Sequence, residues 1–243
     1  MIRLRVTAFL VFLSALLAFT PVPAFAGKGR SSNKPKKAQF SAQYFPTECE
    51  FASEGANSFF ILEPGYRLVL EGDDEQVTIT VLDETEVVDG VLTRVVEERE
   101  LEDGELSEVS RNYFALCTQT GDVYYFGEDV DDYEGGQVVG HEGAWRAGID
   151  EARAGILMPG SPLLGSRYYQ EIAPGVALDR AEHLAFLDDF EVEAGEFHDV
   201  LFVLETSGLD RKDESLKHYA PGVGLIKDDD VELIEYGFVE GRR

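Results

Sequence analysis

The chain has 243 residues and carries 47 Asp and Glu against 21 Lys and Arg, a formal net charge of −26. All the acidic residues lie beyond Ala38, whereas seven of the basic ones precede it. A body this negative repels nucleic acid and anionic lipid, which excludes polyanion binding, and it attracts cations.

The first segment reads as an export signal. Arg3 and Arg5 form a positive start, and an apolar run from Val6 to Phe19 follows, interrupted only by Thr7 and Ser14. Pro21 and Pro23 end the run, and Ala24-Phe25-Ala26 supplies an A-x-A cleavage site before Gly27. The run falls short of the roughly 20 apolar residues a membrane helix needs, and the breakers and small residues sit where a peptidase needs them, against an uncleaved anchor. No cysteine follows directly to take a lipid, and Leu4 separates the two arginines, so a twin-arginine signal is not formed. Residues 1–26 are therefore expected to be removed, leaving a periplasmic or secreted protein with no membrane span. Residues 27–39 form a basic leader with Lys28, Arg30, Lys34, Lys36 and Lys37, of disordered composition. Residues 40–239 are expected to form a single all-β domain. In an oxidising compartment the two cysteines, Cys49 and Cys117, pair most simply as a disulfide; two separate buried thiols are the alternative.

The body opens with a short strand, Tyr66 to Glu71. From Gln76, Val77, Ile79 and Val81 alternate with Thr78 and Thr80, the period of a half-buried strand that runs to Val88. Asp89-Gly90 and Asp103-Gly104 are two-residue hairpin turns, because Gly and Asp tolerate the positive φ that such turns need. They join Gln76–Val88 to Val91–Glu102, and that strand to Glu105–Thr118. Gly121-Asp122 precedes a fourth strand, Val123 to Gly127. Charges fall on both faces of Val95 to Leu106, so those strand ends are read as projecting beyond the core. Strands this long in an antiparallel meander favour a curved sheet, a half-barrel or open barrel.

Asp129 to Pro162 is rich in Gly and Asp and holds the sole tryptophan, Trp145. Gln137–Arg146 reads as a strand, Asp150–Gly155 as one helical turn at most, and Ile156 to Gly160 as an apolar loop docked on the sheet. Strands resume at Arg167–Ile172, Ala177–Leu187, Phe197–Thr206, Leu216–Tyr219, Gly224–Lys227 and Val231–Phe238.

The stretch Lys217-His218-Tyr219-Ala220-Pro221-Gly222-Val223-Gly224-Leu225-Ile226-Lys227 resembles the terminal hairpin of a group of exported bacterial β proteins. Those proteins are similar to the curved half-barrel of lipoprotein carriers of the LolA type. The segment from Asp122 to Ala181, with YYFGEDVDDYEGG, HEGAWRAG, GILMPG and RYYQEIAPGVALDRAE, resembles the same group. The resemblance covers about half of the mature chain and implies a curved β fold with no catalytic residue. The glycines of GVGLIK serve backbone geometry and make no phosphate loop, because no third glycine and no helix follow.

Five carboxylates, Glu128, Asp129, Asp131, Asp132 and Glu134, precede Gly135-Gly136 and form a candidate chelating loop for Ca²⁺, a cation that takes six to eight oxygens. Tyr133 and the late glycine break the EF-hand pattern, and a solvated acidic loop is the alternative. The histidines, His141, His183, His198 and His218, have no zinc spacing. His141-Glu142 begins an HExxH-like string, but Trp145 occupies the second histidine position. No nucleophile elbow surrounds Ser161 or Ser166. A curved meander can also hold an apolar small molecule, with Phe59, Phe60, Leu62, Phe114, Tyr124, Phe126, Ile156, Leu157 and Met158 as candidate lining or ordinary core. The expectation is a non-catalytic exported binding or structural protein. A divalent cation and an apolar molecule are its candidate ligands, and a hydrolase is the less favoured class.

Overall fold

Two antiparallel meanders lie side by side in one curved sheet. The computed structural model describes residues 39–44 and 46–239; the expected export signal and residues 27–38 of the leader lie outside them. A 3₁₀ turn at Pro46–Glu48 precedes β1 (Phe51–Ala52), β2 (Gly55–Asn57) and β3 (Phe60–Leu62). The first meander is β4 (Tyr66–Glu71), β5 (Glu75–Val88), β6 (Val91–Glu102), β7 (Glu105–Cys117) and β8 (Val123–Glu134). The middle carries β9 (Gln137–Gly140), β10 (Trp145–Arg146), β11 (Arg153–Met158), β12 (Arg167–Tyr169) and β13 (Glu171–Ile172). The second meander is β14 (Asp179–Val192), β15 (Gly195–Ser207), β16 (Glu214–Ala220), β17 (Gly224–Asp228) and β18 (Val231–Phe238).

The main path runs β12-β14-β15-β16-β17-β18-β4-β5-β6-β7-β8-β11-β13, with β1, β9 and β10 attached to β7 or β8. The last strand, β18, pairs with the first long one, β4. At the other end one continuous segment, Arg167–Ile172, lies at both limits of the path. Its first half pairs with β14 and its last two residues with β11. The sheet thereby becomes a nearly closed, barrel-like curve. No helix among the described residues is long and apolar enough to cross a membrane.

The local reasons are those of the sequence pattern. Both hairpin turns use positive φ at both central residues: Asp89 (49°) with Gly90 (80°), and Asp103 (53°) with Gly104 (78°). In β4, Tyr66, Leu68 and Leu70 alternate with more exposed neighbours, so one face is buried. β7 is buried on both faces from Asn112 to Cys117. The N-terminal segment pairs with its end through β1, and Phe51 sets its ring edge-on to Tyr124 and Phe126 of the neighbouring β8. The Cys49–Cys117 disulfide ties that segment down. The bridge implies an oxidising environment outside the cytoplasm. The β14–β15 hairpin overhangs its neighbours and bends back onto β18, where Ala194 N donates to Leu233 O at 2.8 Å. Phe190 and Phe202 stack on the His218 ring.

Three sequence readings need correction. The fourth strand does not stop at Gly127 but continues to Glu134, because β7 on one side and β9 on the other pair with its acidic end. Gln137–Arg146 is two short strands, both on β8. Asp150–Gly155 and the expected loop after it contain β11, whose edges are taken by β8 and β13. Gly155 shows why a glycine is needed there: a Cβ would lie 2.2 Å from Gln170 O. The β2–β3 hairpin left no pattern that the sequence reading detected.

Two stability effects follow. Reducing the disulfide frees a loop with a sequence separation of 68 residues, and the chain-entropy relation gives a loss of about 4 kcal/mol. Denaturant unfolding with and without reductant should show that loss; coincident curves would contradict it. Gly155→Ala should cost about 1–3 kcal/mol by forcing apart β11 and the closing segment. A melting temperature equal to that of the native protein would show that the two backbones are not in contact there.

Candidate functional site

Inside the curve lies a cavity of about 270 Å³ whose two ends differ in chemistry. Phe60 and Ile61 of β3, Leu68 of β4, Ile79 of β5, Phe114 of β7 and Leu157 of β11 supply the apolar part, with Val223 from the turn after β16. Phe60 meets Phe114 edge-on with ring centroids 5.3 Å apart, and Phe114 contacts Tyr125 at 4.7 Å. The β2–β3 hairpin caps this end. Asn57 Nδ2 donates to Gly121 O at 3.0 Å, and Gly222 N donates to Ser58 O at 2.7 Å.

The other part is acidic. Glu98 and Glu100 of β6, Glu108 of β7, Glu128 of β8, Glu171 of β13, Asp179 of β14, Glu205 of β15 and Asp228 of β17 all line the cavity, against Lys217 of β16 as the sole basic residue of the lining. Lys217 Nζ sits 2.9 Å from Glu205 Oε2 and 3.2 Å from Asp228 Oδ2. Gln170 Nε2 donates to Glu205 Oε1 at 2.7 Å. On the closing segment, Gln170 Oε1 has no hydrogen-bond partner and Glu171 Oε2 none in good geometry, on residues only 4% and 8% exposed; the Trp145 indole beside Glu171 partly offsets the rise of its carboxyl. A second recess of about 410 Å³ shares Glu98, Glu100, Lys217, Leu225 and Asp228 and continues to Asp229 and Asp230 at the β17–β18 turn.

Burial pushes the Glu98 carboxyl up to about 8, and Glu100 beside it adds to the rise. Burial, then the charge of Glu108, raises Glu100 to about 7. Burial raises Glu128 to about 7, partly offset by a hydrogen bond from Tyr125. Glu171 and Asp179 are also raised, first by burial, with Glu128 adding to the rise of Glu171 and Glu205 to that of Asp179. Burial opposes the Lys217 charge, but Glu205 and Asp228 outweigh it and raise its pKa.

The sequence reading of Glu98 and Glu100 as projecting beyond the core is corrected here. They follow Val96 at intervals of two, so they share its inward face and line a polar interior. That spacing was the available signal. Glu171, Asp179, Glu205 and Asp228 had no local signal, since distant strands bring them together. Of the nine apolar residues expected to line a ligand site, Phe60, Phe114 and Leu157 do so. Phe59, Leu62, Tyr124, Phe126 and Met158 are buried core, and Ile156 packs against it.

The expected chelating loop is a strand, and its five carboxylates go different ways. Glu128 lines the cavity. Asp129 is outside, with Arg146 Nη2 2.7 Å and the Tyr113 hydroxyl 2.9 Å away. Asp131 pairs with His141 at 2.9 Å. Asp132 accepts from Glu142 N at 2.9 Å. Glu134 is exposed at the strand end. Among the described residues no group of three or more His, Cys, Asp or Glu is placed to hold a metal ion. The other histidines serve structure or surface: His183 is buried with its Nε2 2.8 Å from the Tyr168 hydroxyl, His218 lies between two Phe rings, and His198 pairs with Asp189 on the surface.

These carboxyls make stability depend on pH in a defined direction. A carboxyl raised in the folded state keeps a proton that the unfolded chain has lost. Its stabilisation is full below the ordinary value of 4.5 and is lost as pH rises through about 7 to 8. Burial lowers His183 to about 4 and lowers His218, and stability from these two falls as pH drops below 6.5. Above neutrality their contribution is flat, and the exposed His198 pair contributes little. The melting temperature should therefore fall between about pH 7 and 8, and Glu98→Gln should flatten the slope. A rising or flat profile in the native protein would contradict the acid-lined interior.

No family model, curated protein or solved structure matches this chain.

Proposed function

We propose that the protein is a non-catalytic binding protein of the periplasm or extracellular space, and that it carries a small molecule with an apolar body inside its curved sheet. The observation that carries this reading is the cavity of about 270 Å³ with an aromatic and aliphatic end. Ligand sites are typically concave, largely apolar and fitted with a few polar groups that orient the occupant. The export signal in the sequence and the disulfide support the compartment. The resemblance to half-barrel carriers agrees with an interior ligand.

A neutral apolar fluorophore, N-phenylnaphthylamine, should bind saturably to the full protein with a gain in emission. Leu157→Trp fills the apolar end and should weaken binding by at least about tenfold. Val139→Trp, on an exposed position of β9, should leave it unchanged. A linear, unsaturable signal, or equal binding by the Leu157→Trp protein, would overturn the reading.

A further inference from the structure

We propose that the molecule taken by the cavity is an amphipathic organic cation, with its ammonium group among the inward carboxyls and its apolar body toward Phe60 and Phe114. This rests on the reading of the cavity as a ligand site and adds the charge of the ligand. Eight carboxyl side chains face a single lysine, and that lysine is already engaged by Glu205 and Asp228. The other six make no ion pair among the described residues. Crowding of this kind disfavours ionisation of the empty site, and a bound cation relieves it.

Two further features separate the site from an acidic surface. Gln170 and Glu171 line the cavity on residues more than nine-tenths buried; Gln170 Oε1 has no hydrogen-bond donor among the described residues, and the Glu171 carboxyl has only the Trp145 indole beside it. A buried acceptor without a donor is costly to the fold. A primary ammonium brings three donors and a positive charge to the same place. The carboxyls also come from seven strands and are not gathered into a coordination shell. Spread acceptors suit a cation that donates directional hydrogen bonds from a long body better than a bare ion. The apolar end explains why the cation must be amphipathic: it offers aromatic and aliphatic surface and no further charge.

The experiment compares octylammonium, octanol and octanoate, which share one chain and differ in the head group. Calorimetric titration of the full exported protein in raised sodium chloride screens attraction to the outer acidic surface. Octylammonium should saturate one site and bind at least about tenfold more tightly than octanol, while octanoate should not bind. Glu171→Gln should remove most of that preference and leave octanol binding unchanged. Glu98→Gln should act in the same direction and serves where the first variant does not fold. Glu191→Gln, on the exposed outer hairpin, should change nothing. Equal affinity for octylammonium and octanol would overturn the charge assignment while the cavity reading stands. Octylammonium binding that neither interior variant weakens would place the site elsewhere and overturn the proposal. Binding of none of the three would overturn both readings.

Discussion

Pairing by six residues, Arg167–Ile172, turns two open meanders into one nearly closed curve. Each meander alone has an edge with unsatisfied backbone groups, and open edges recruit other strands. The segment answers both: Tyr168 pairs with Ala181 of β14, and Ile172 pairs with Arg153 of β11. Between the halves, Gln170 N donates to Asp179 O at 2.7 Å, so the change of partner leaves no gap at that amide. The segment's outer side is held as well. Ser41 N donates to Arg167 O, and Tyr169 N donates to Ser41 O. The Tyr44 hydroxyl donates to Tyr169 O at 2.6 Å. The cavity exists because this seam closes, and Gln170 and Glu171, which line the cavity, belong to the seam itself.

A closed sheet does not need a polar interior. Well-packed apolar side chains in place of buried charges are often neutral or stabilising. The chain builds such packing elsewhere: Leu62, Leu70, Leu201, Ile226 and Leu233 are fully buried. Against that background, eight inward carboxyls weaken the fold where an apolar filling would strengthen it. Residues held at a cost to stability concentrate at functional sites, and their rise in pKa is the physical record of the cost. The outer acids are different in kind. Asp129 is hydrogen-bonded by Arg146 and Tyr113, and although burial pushes it up, those bonds hold its carboxyl below the ordinary value. Asp129 and Glu128 are adjacent in the chain and shifted in opposite directions, because alternation sends one to a guanidinium and the other to the interior.

That pair also shows how far the sequence was legible. Turns with a steric requirement could be read locally: Asp89-Gly90 and Asp103-Gly104 need positive φ, and few other residue types supply it cheaply. The strands beside them followed from period-two alternation. Reading faltered where two rules competed. The acidic run from Glu128 to Glu134 resembled a loop by composition but is a strand, because β7 offers it a long partner from Glu108 to Asn112. β11 was hidden by glycine, although Gly155 is there for the close approach of Gln170 and not for a turn. The interior carboxyls were the largest loss. Glu98 and Glu100 keep step with Val96, but a charge on a core-facing position reads as a strand leaving the core unless a cavity is already known. Glu171 and Asp179 could not be placed, because their proximity to Glu98 is a property of closure.

The same closure separates the two electrostatic roles of the chain. An acidic outer surface is screened over a Debye length of about 8 Å at physiological salt and attracts any cation weakly. Carboxyls enclosed by a low-dielectric wall interact more strongly with each other and with whatever enters. Lys217 shows the sign of that interior field: burial works against its charge, yet Glu205 and Asp228 outweigh it. A mobile cation that brings its own donors meets the same field without the constraint of a fixed side chain. On the proposed reading, the wall of Phe60, Phe114 and Leu157 would select among such cations, because only one with an apolar body would cover that surface.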